Sequence, residues 1–294
     1  MKVFSILLFL GVSFAAHSKI KVITTTTNLA DLVRQVGGDF VEVESLCKGS
    51  QDPHFLEAKP SYTFKLSKAD LLVSIGAGLE EGWLPLVIRG SRNPDIREGQ
   101  SGHLVASDVV SLLEQVKGEV SRSQGDVHPE GNPHFMLGPS KVIEVAKAIT
   151  SKLTSLDEEN KENYNKGFKA FEERMTLSLD RWKKKFSNSI KVISYHKTLT
   201  YFYDEFGVDN IDVLEPKPGI PPTASHIIGI ISKVKSEEVK KIIVENYFDE
   251  TVAKRVSKEV PRVQVEVVPV AVYGKKEVDD LFTLYEYLVN KIGE

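Results

Sequence analysis

Residues 139–187 read PSKVIEVAKAITSKLTSLDEENKENYNKGFKAFEERMTLSLDRWKKKFS. The stretch holds one glycine, Gly167, has no proline after Pro139, and is dense in Lys, Glu and Leu. Those residues are strong helix formers, so it reads as helical, with Ser155 or Asp157 placed to cap a second segment. That second helix, running to about Phe186, would be roughly 45 Å long at 1.5 Å per residue. Its apolar residues keep no strict heptad, which argues against a coiled coil. A stiff strut in mid-chain implies a folded unit on either side.

Both flanks alternate β-rich runs with helical patterns. Before the strut, 21–26, 41–47 and 71–75 read as buried strands, and 28–36 and 60–69 as helices. After it, strands at 190–195, 208–213, 242–245 and 263–268 alternate with helices at 197–206, 223–235, 250–259 and 277–291. Such alternation predicts parallel sheets with right-handed crossovers. The expected fold is α/β: two lobes, each a parallel β-sheet flanked by helices, joined by a long rigid α-helix. The divisions are 19–138, 139–187 and 188–294, with a cleft between the lobes. Residues 118–133, GEVSRSQGDVHPEGNP, are the most loop-like part of the mature chain.

The chain has 294 residues, 41% hydrophobic and 27% charged, enough for a substantial core. Lys plus Arg is 38 against 41 for Asp plus Glu, a formal charge of -3 that gives no support to nucleic-acid binding. Residues 1–18 read as a signal peptide. Residues 3–16, VFSILLFLGVSFAA, fall short of the ~20 apolar residues that span a bilayer, and Ala16-His17-Ser18 suits cleavage before Lys19. No cysteine follows the apolar run closely, which argues against a lipid anchor, so the mature protein is expected free in a periplasm. The single cysteine, Cys47, permits no intramolecular disulfide and reads as a buried thiol.

Of the seven histidines, three stand at informative positions. His54 follows the strand that ends at Cys47, His134 closes the loop before the strut, and His196 directly follows the strand 190–195. Asp279 and Asp280 lie shortly after the strand 263–268. Ligands of open parallel sheets bind outside the carboxyl ends of strands, and at least three of these positions have that address. Two come from each lobe, so they are able to meet in the cleft. Imidazole nitrogens with a carboxylate oxygen suit zinc. Any one histidine alone is more often structural, and His103 and His226 match no motif. His17 leaves with the signal peptide.

The blocks DPHFLEAKPSYTFKLSKADLLVSIGAGLEEGWL at 52–84 and HPEGNPHFMLGP at 128–139, with SYHKTLTYFYDEFG at 194–207, carry a family resemblance. Over nearly the whole mature chain the sequence resembles the substrate-binding proteins of ABC transporters that import zinc or manganese. The resemblance implies that His54, His134 and His196 are metal ligands and that Asp279, rather than Asp280, is the fourth. The segment KKEVDDLFTLYEYLVN departs from the family there, which usually shows a clearer Gly and Asn around this Asp. Glu57 stands where the family has a polar residue near the first histidine, a place from which it would orient His54. A carboxylate at 196 would suit manganese, whereas His196 favours zinc. The long histidine-rich loop of many zinc members is here reduced to His128, which reads as a solvated loop residue.

The implied role is capture of Zn2+ as cargo and its delivery to an ABC permease in the inner membrane, by a monomer. A zinc metallochaperone is a further partner the role admits, and the alternative cargo is manganese. A zinc hydrolase is the rival from another class. A fourth protein ligand would close the open position catalysis needs, and no H-E-x-x-H helix or Gly-x-Ser-x-Gly elbow is present. The chain is therefore not expected to be an enzyme. Nothing in the sequence marks an adhesin role.

Overall fold

The computed structural model describes residues 19–116, 128–186, 188–217 and 219–293. The expected leader, 1–18, and residues 117–127 of the loop-like stretch lie outside them. Two four-stranded sheets are seen among the described residues. The first comprises β1 (Ile20–Thr24), β2 (Val41–Ser45), β3 (Leu71–Ser74) and β4 (His103–Val105), in the order β2-β1-β3-β4. The second comprises β5 (Ile190–Ser194), β6 (Val208–Val213), β7 (Lys241–Glu245) and β8 (Gln264–Val268), in the order β6-β5-β7-β8. All neighbouring strands are parallel. The sheets thus share one topology, with a switch point between β1 and β3 in one and between β5 and β7 in the other.

Successive side chains of a strand point to opposite faces, and here both faces are covered by apolar groups. Val22, Leu71 and Val73 join a large central cluster, whereas Ile23 and Leu72 pack on the other face with Tyr62, Leu66 and Trp83. In the second sheet Val192 and Ile243 join the same central cluster, while Ile193, Ile242 and Val244 meet Ile227, Ile230 and Val256. One core therefore runs through both lobes.

Around the first sheet pack α1 (Thr27–Gly37), α2 (Pro60–Leu66) and α3 (Leu84–Ser91). The strut is α4 (Pro139–Leu156) followed by α5 (Lys161–Lys183), and the second lobe adds α6 (Thr200–Phe206), α7 (Ala224–Ser236), α8 (Thr251–Glu259) and α9 (Leu281–Gly293). The long helix is shorter than the sequence suggests. Glu158–Asn160 form a 3-10 turn, and the 23 residues of α5 span about 35 Å. Asp157 holds this corner, accepting hydrogen bonds from Tyr164 Oη (2.7 Å) and Asn160 Nδ2 (2.8 Å). None of the described helices is long and apolar enough to cross a membrane.

Buried hydrogen bonds tie the lobes together along α1. Thr27 Oγ1 donates to Val272 O (2.7 Å), Asn28 Nδ2 to Val270 O (3.1 Å), and Val272 N to Asn28 Oδ1 (2.8 Å). Asn28 thus bonds across the lobes, and Thr26 caps α1.

The lone glycine of the strut has a packing reason. A Cβ at Gly167 would lie 2.2 Å from the carbonyl oxygen of Val36, so α5 approaches α1 backbone to side-chain-free backbone. Gly167→Ala is expected to destabilise the protein by about 2 kcal/mol, the overpacking outweighing the gain of about 1 kcal/mol in helix propensity. A thermal melt with an unchanged or raised midpoint would contradict this reading.

Candidate metal centre

His54 sits in a single 3-10 turn, Pro53–Phe55, made where Asp52 caps its own neighbour. Asp52 Oδ1 accepts the His54 backbone N–H (3.0 Å) and also bonds the ring at Nδ1 (2.6 Å). Trp83 Nε1 donates to Pro53 O at 2.9 Å and pins the turn to the first lobe. His134 precedes another 3-10 turn, Phe135–Leu137, and its backbone N–H donates to Asn132 Oδ1 (2.9 Å). Asn132 is itself held by the second lobe: its Nδ2 donates to Lys197 O (2.9 Å), and Tyr201 Oη donates to its carbonyl (2.7 Å). His196 follows β5 at the switch point, and its Nδ1 bonds Glu215 Oε2 at 2.7 Å. Glu245, the last residue of β7, faces the same switch point, 1% exposed and with no hydrogen-bond partner for either oxygen.

These three histidines converge. One ring nitrogen of each lies within 4.8 Å of the others. A carboxylate at Nδ1 fixes the Nδ1–H tautomer of His54 and His196 and leaves each Nε2 lone pair for a ligand. His134 Nε2 is buried without a hydrogen-bond partner, a costly state for a polar atom unless something binds it. Such a donor set fits a divalent transition-metal ion.

Charges around the trio are arranged for a cation. Burial, and then the neighbouring imidazoles, holds the His134 pKa well below its ordinary value, so it is neutral and ready to bind. Burial also disfavours charge on His196, but the hydrogen bond to Glu215 and the field of Glu245 outweigh it and raise its pKa. Burial likewise opposes ionised Asp52, yet the His54 contact prevails and lowers its pKa. Burial pushes Glu245 up to about 7. The acidic groups around the three imidazoles give the pocket a negative charge that a dication would offset, and an ion there would draw Glu245 toward its ionised form.

The model for the periplasmic zinc-uptake complex component A, ZnuA, matches residues 22–294. The chain belongs to the ZnuA family. The manganese ABC transporter substrate-binding lipoprotein PsaA of Streptococcus pneumoniae is 28% identical over 255 residues, covering 84% of this chain and 78% of its own. The metal ABC transporter substrate-binding lipoprotein SsaB of Streptococcus sanguinis is 26% identical over 287 residues, covering 94% and 89%. A ZnuA deletion mutant with zinc bound shares the fold with a TM-score of 0.79 at 21% identity, covering 94% of this chain and 97% of that one. FpvC of Pseudomonas aeruginosa in complex with Mn2+ gives 0.76 at 22%, covering 94% and 98%. This ZnuA-family chain is an extracytoplasmic metal-binding protein that serves the permease of an ABC transporter, and it is not an enzyme.

Asp279, the fourth ligand expected in this ZnuA-family chain, stands apart from the three histidines. Asp279 is exposed, its Oδ1 accepts the Thr283 hydroxyl at 3.2 Å, and it is not among the clustered ligand atoms. The reason is packing: the start of α9 is drawn onto α1 and α5, where Asp31 accepts Leu281 N–H (3.0 Å) and Asp280 meets Arg174 (3.5 Å). Glu57 is exposed too, and Asp52 rather than Glu57 orients His54. His103 and His226 are held by Ser74 Oγ (2.9 Å) and Val213 O (2.9 Å), away from the trio. His128, read as a solvated loop residue, is half-buried beside His54. Sequence reading missed Asp52, Glu215 and Glu245; the signals were an acidic residue two before His54 and one at each strand end.

Asp52→Ala and Glu215→Ala are each expected to weaken metal binding about 10–100-fold, the usual effect of losing a partner that orients a ligating imidazole. Glu57→Ala should change nothing. Competition against a fluorescent chelator measures all three, and equal loss in Glu57→Ala would contradict the assignment.

Proposed function

We propose that the protein captures one zinc ion between its lobes through His54, His134 and His196 and releases it to an ABC permease. The observation that carries this reading is the convergence of three imidazole nitrogens with, among the described residues, no carboxylate in the cluster of ligand atoms. Nitrogen donors favour zinc over manganese, which prefers carboxylate and water oxygens. Manganese is the second reading, favoured by the name of the S. pneumoniae relative. Chelator competition on the metal-stripped mature chain decides between them. One tight equivalent of zinc with much weaker manganese supports zinc; the reverse order makes manganese the cargo.

The cross-lobe bonds of Thr27 and Asn28 and the packed strut oppose wide hinge opening. Release then proceeds by movement of a ligand-bearing loop. A difference between apo and loaded scattering curves as large as a domain closure would sink this. The protein acts as a monomer and free in the periplasm, and a zinc metallochaperone is a compatible donor. The relatives are named lipoproteins. Here Cys47 is 5% exposed within the fold and is not a position for a lipid. Release by osmotic shock supports the free form, and retention with membranes contradicts it.

Binding should be proton-linked. An imidazolium cannot ligate, and the pKa of His196 is raised while that of His134 is depressed. His196 therefore holds its competing proton to higher pH than an ordinary histidine at ~6.5, and His134 adds no competition in this range. Lowering the pH from 7.5 to 5.5 is expected to weaken zinc binding by up to about 100-fold, one proton per ion. An affinity that stays flat over that interval would contradict ligation by His196.

A further inference from the structure

We propose that His128 is a fourth ligand, so that the ion is held by four imidazoles and by no carboxylate. This rests on the metal-capture reading of His54, His134 and His196. The Nε2 of His128 lies 3.1 Å from the Nε2 of His54. That is the very atom His54 has left for a ligand, because Asp52 occupies its Nδ1. Two imidazole lone pairs at this separation must share something, either a proton or a metal ion. Zn–N bonds of about 2.0–2.1 Å at a tetrahedral angle put two ligand nitrogens roughly 3.3 Å apart. An ion there takes the place of the shared proton, which moves to Nδ1 of His128 so that both rings stay neutral and present Nε2 to the metal; the two nitrogens need separate by only a few tenths of an ångström.

The His128 ring centroid lies 5.2 Å from that of His54, as close as the nearest pair within the trio, and 6.5 Å from that of His134, beyond the trio's 5.2–5.9 Å spacings. His128 is not among the ligand atoms already clustered within 4.8 Å, so ligation draws its ring inward. The ring sits over Gly78, where a Cβ would come 3.1 Å from its Nδ1, so the absent side chain leaves it room. Its backbone is anchored: His128 O accepts Gly131 N–H (3.2 Å), and Pro129 O accepts Val116 N–H (3.2 Å). Among the acidic side chains around the trio, Glu245 is buried beside His196 with neither oxygen hydrogen-bonded; the others are committed. Asp52 and Glu215 hold the Nδ1 atoms of His54 and His196, and Asp279 belongs to the start of α9. A four-nitrogen set also sharpens preference for zinc over manganese, since softer imidazole ligands reward the former.

Zinc K-edge X-ray absorption on the loaded mature chain counts the imidazoles without any variant. Four nitrogens at about 2.0 Å with imidazole outer-shell scattering are expected, and three in His128→Ala, with zinc affinity at least about 10-fold weaker. Three imidazoles plus oxygen in the unaltered protein, or wild-type affinity in folded His128→Ala, would overturn the fourth ligand. His134→Ala separates the two readings. If it abolishes tight binding while His128→Ala does not, only the fourth ligand falls. If the unaltered chain takes up no stoichiometric zinc, metal capture falls and this inference with it.

Discussion

His196→Ala lowers zinc affinity by at least about 100-fold, more than the loss of an orienting partner would, because it removes a bond to the ion itself. Two effects add. The trio loses one of its three converging nitrogens, and the Glu215 carboxylate, 8% exposed, loses the ring that neutralised it. Glu245 is also left buried without the nearby cation that favours its ionised form. Chelator competition measures the affinity and a thermal melt checks the fold. Retention of wild-type affinity in a folded variant would remove His196 from the centre.

Trp182→Ala is expected to cost about 3–5 kcal/mol, the range for emptying a fully buried aromatic site. Trp182 lies in the last turn of α5, fully buried, with its ring tilted 5.6 Å from Tyr285 of α9 and its indole N–H donating to Glu286. Truncation opens a cavity where the strut meets the C-terminal helix and leaves the Glu286 carboxylate without its indole donor. At about 2–4 °C per kcal/mol for a chain of this size class, the melting midpoint should fall by roughly 10 °C. Denaturant unfolding of the metal-free protein measures it directly. A loss under about 1 kcal/mol would mean that the strut is not part of one continuous core.

Much of the fold was legible because its strands are buried on both faces. Runs such as LLVS and KIIVE have no polar side to confuse with a helix, and their spacing implied parallel crossovers. The elements missed were small: β4 is only HLV, and α3, LPLVIRGS, begins with a proline inside its first turn. The trio was legible for a related reason, since each histidine stands at a loop set by a strand or helix terminus. Asp279 stands apart because, although its place after β8 suggests a strand-end loop, contacts of α9 with α1, some 250 residues away in sequence, hold the start of α9 elsewhere. The same long range hid Glu215 and His128. An acidic residue after a strand and a histidine in a polar loop look like solvated groups until the chain folds them onto His196 and His54.

The most direct measurement is anomalous scattering at the zinc edge from crystals of the loaded mature protein. A single strong peak about 2.1 Å from the Nε2 atoms of His54, His134 and His196 is the expected result. A peak bound elsewhere, or one ligated by Asp279 with any of the three histidines turned away, would contradict the centre described above.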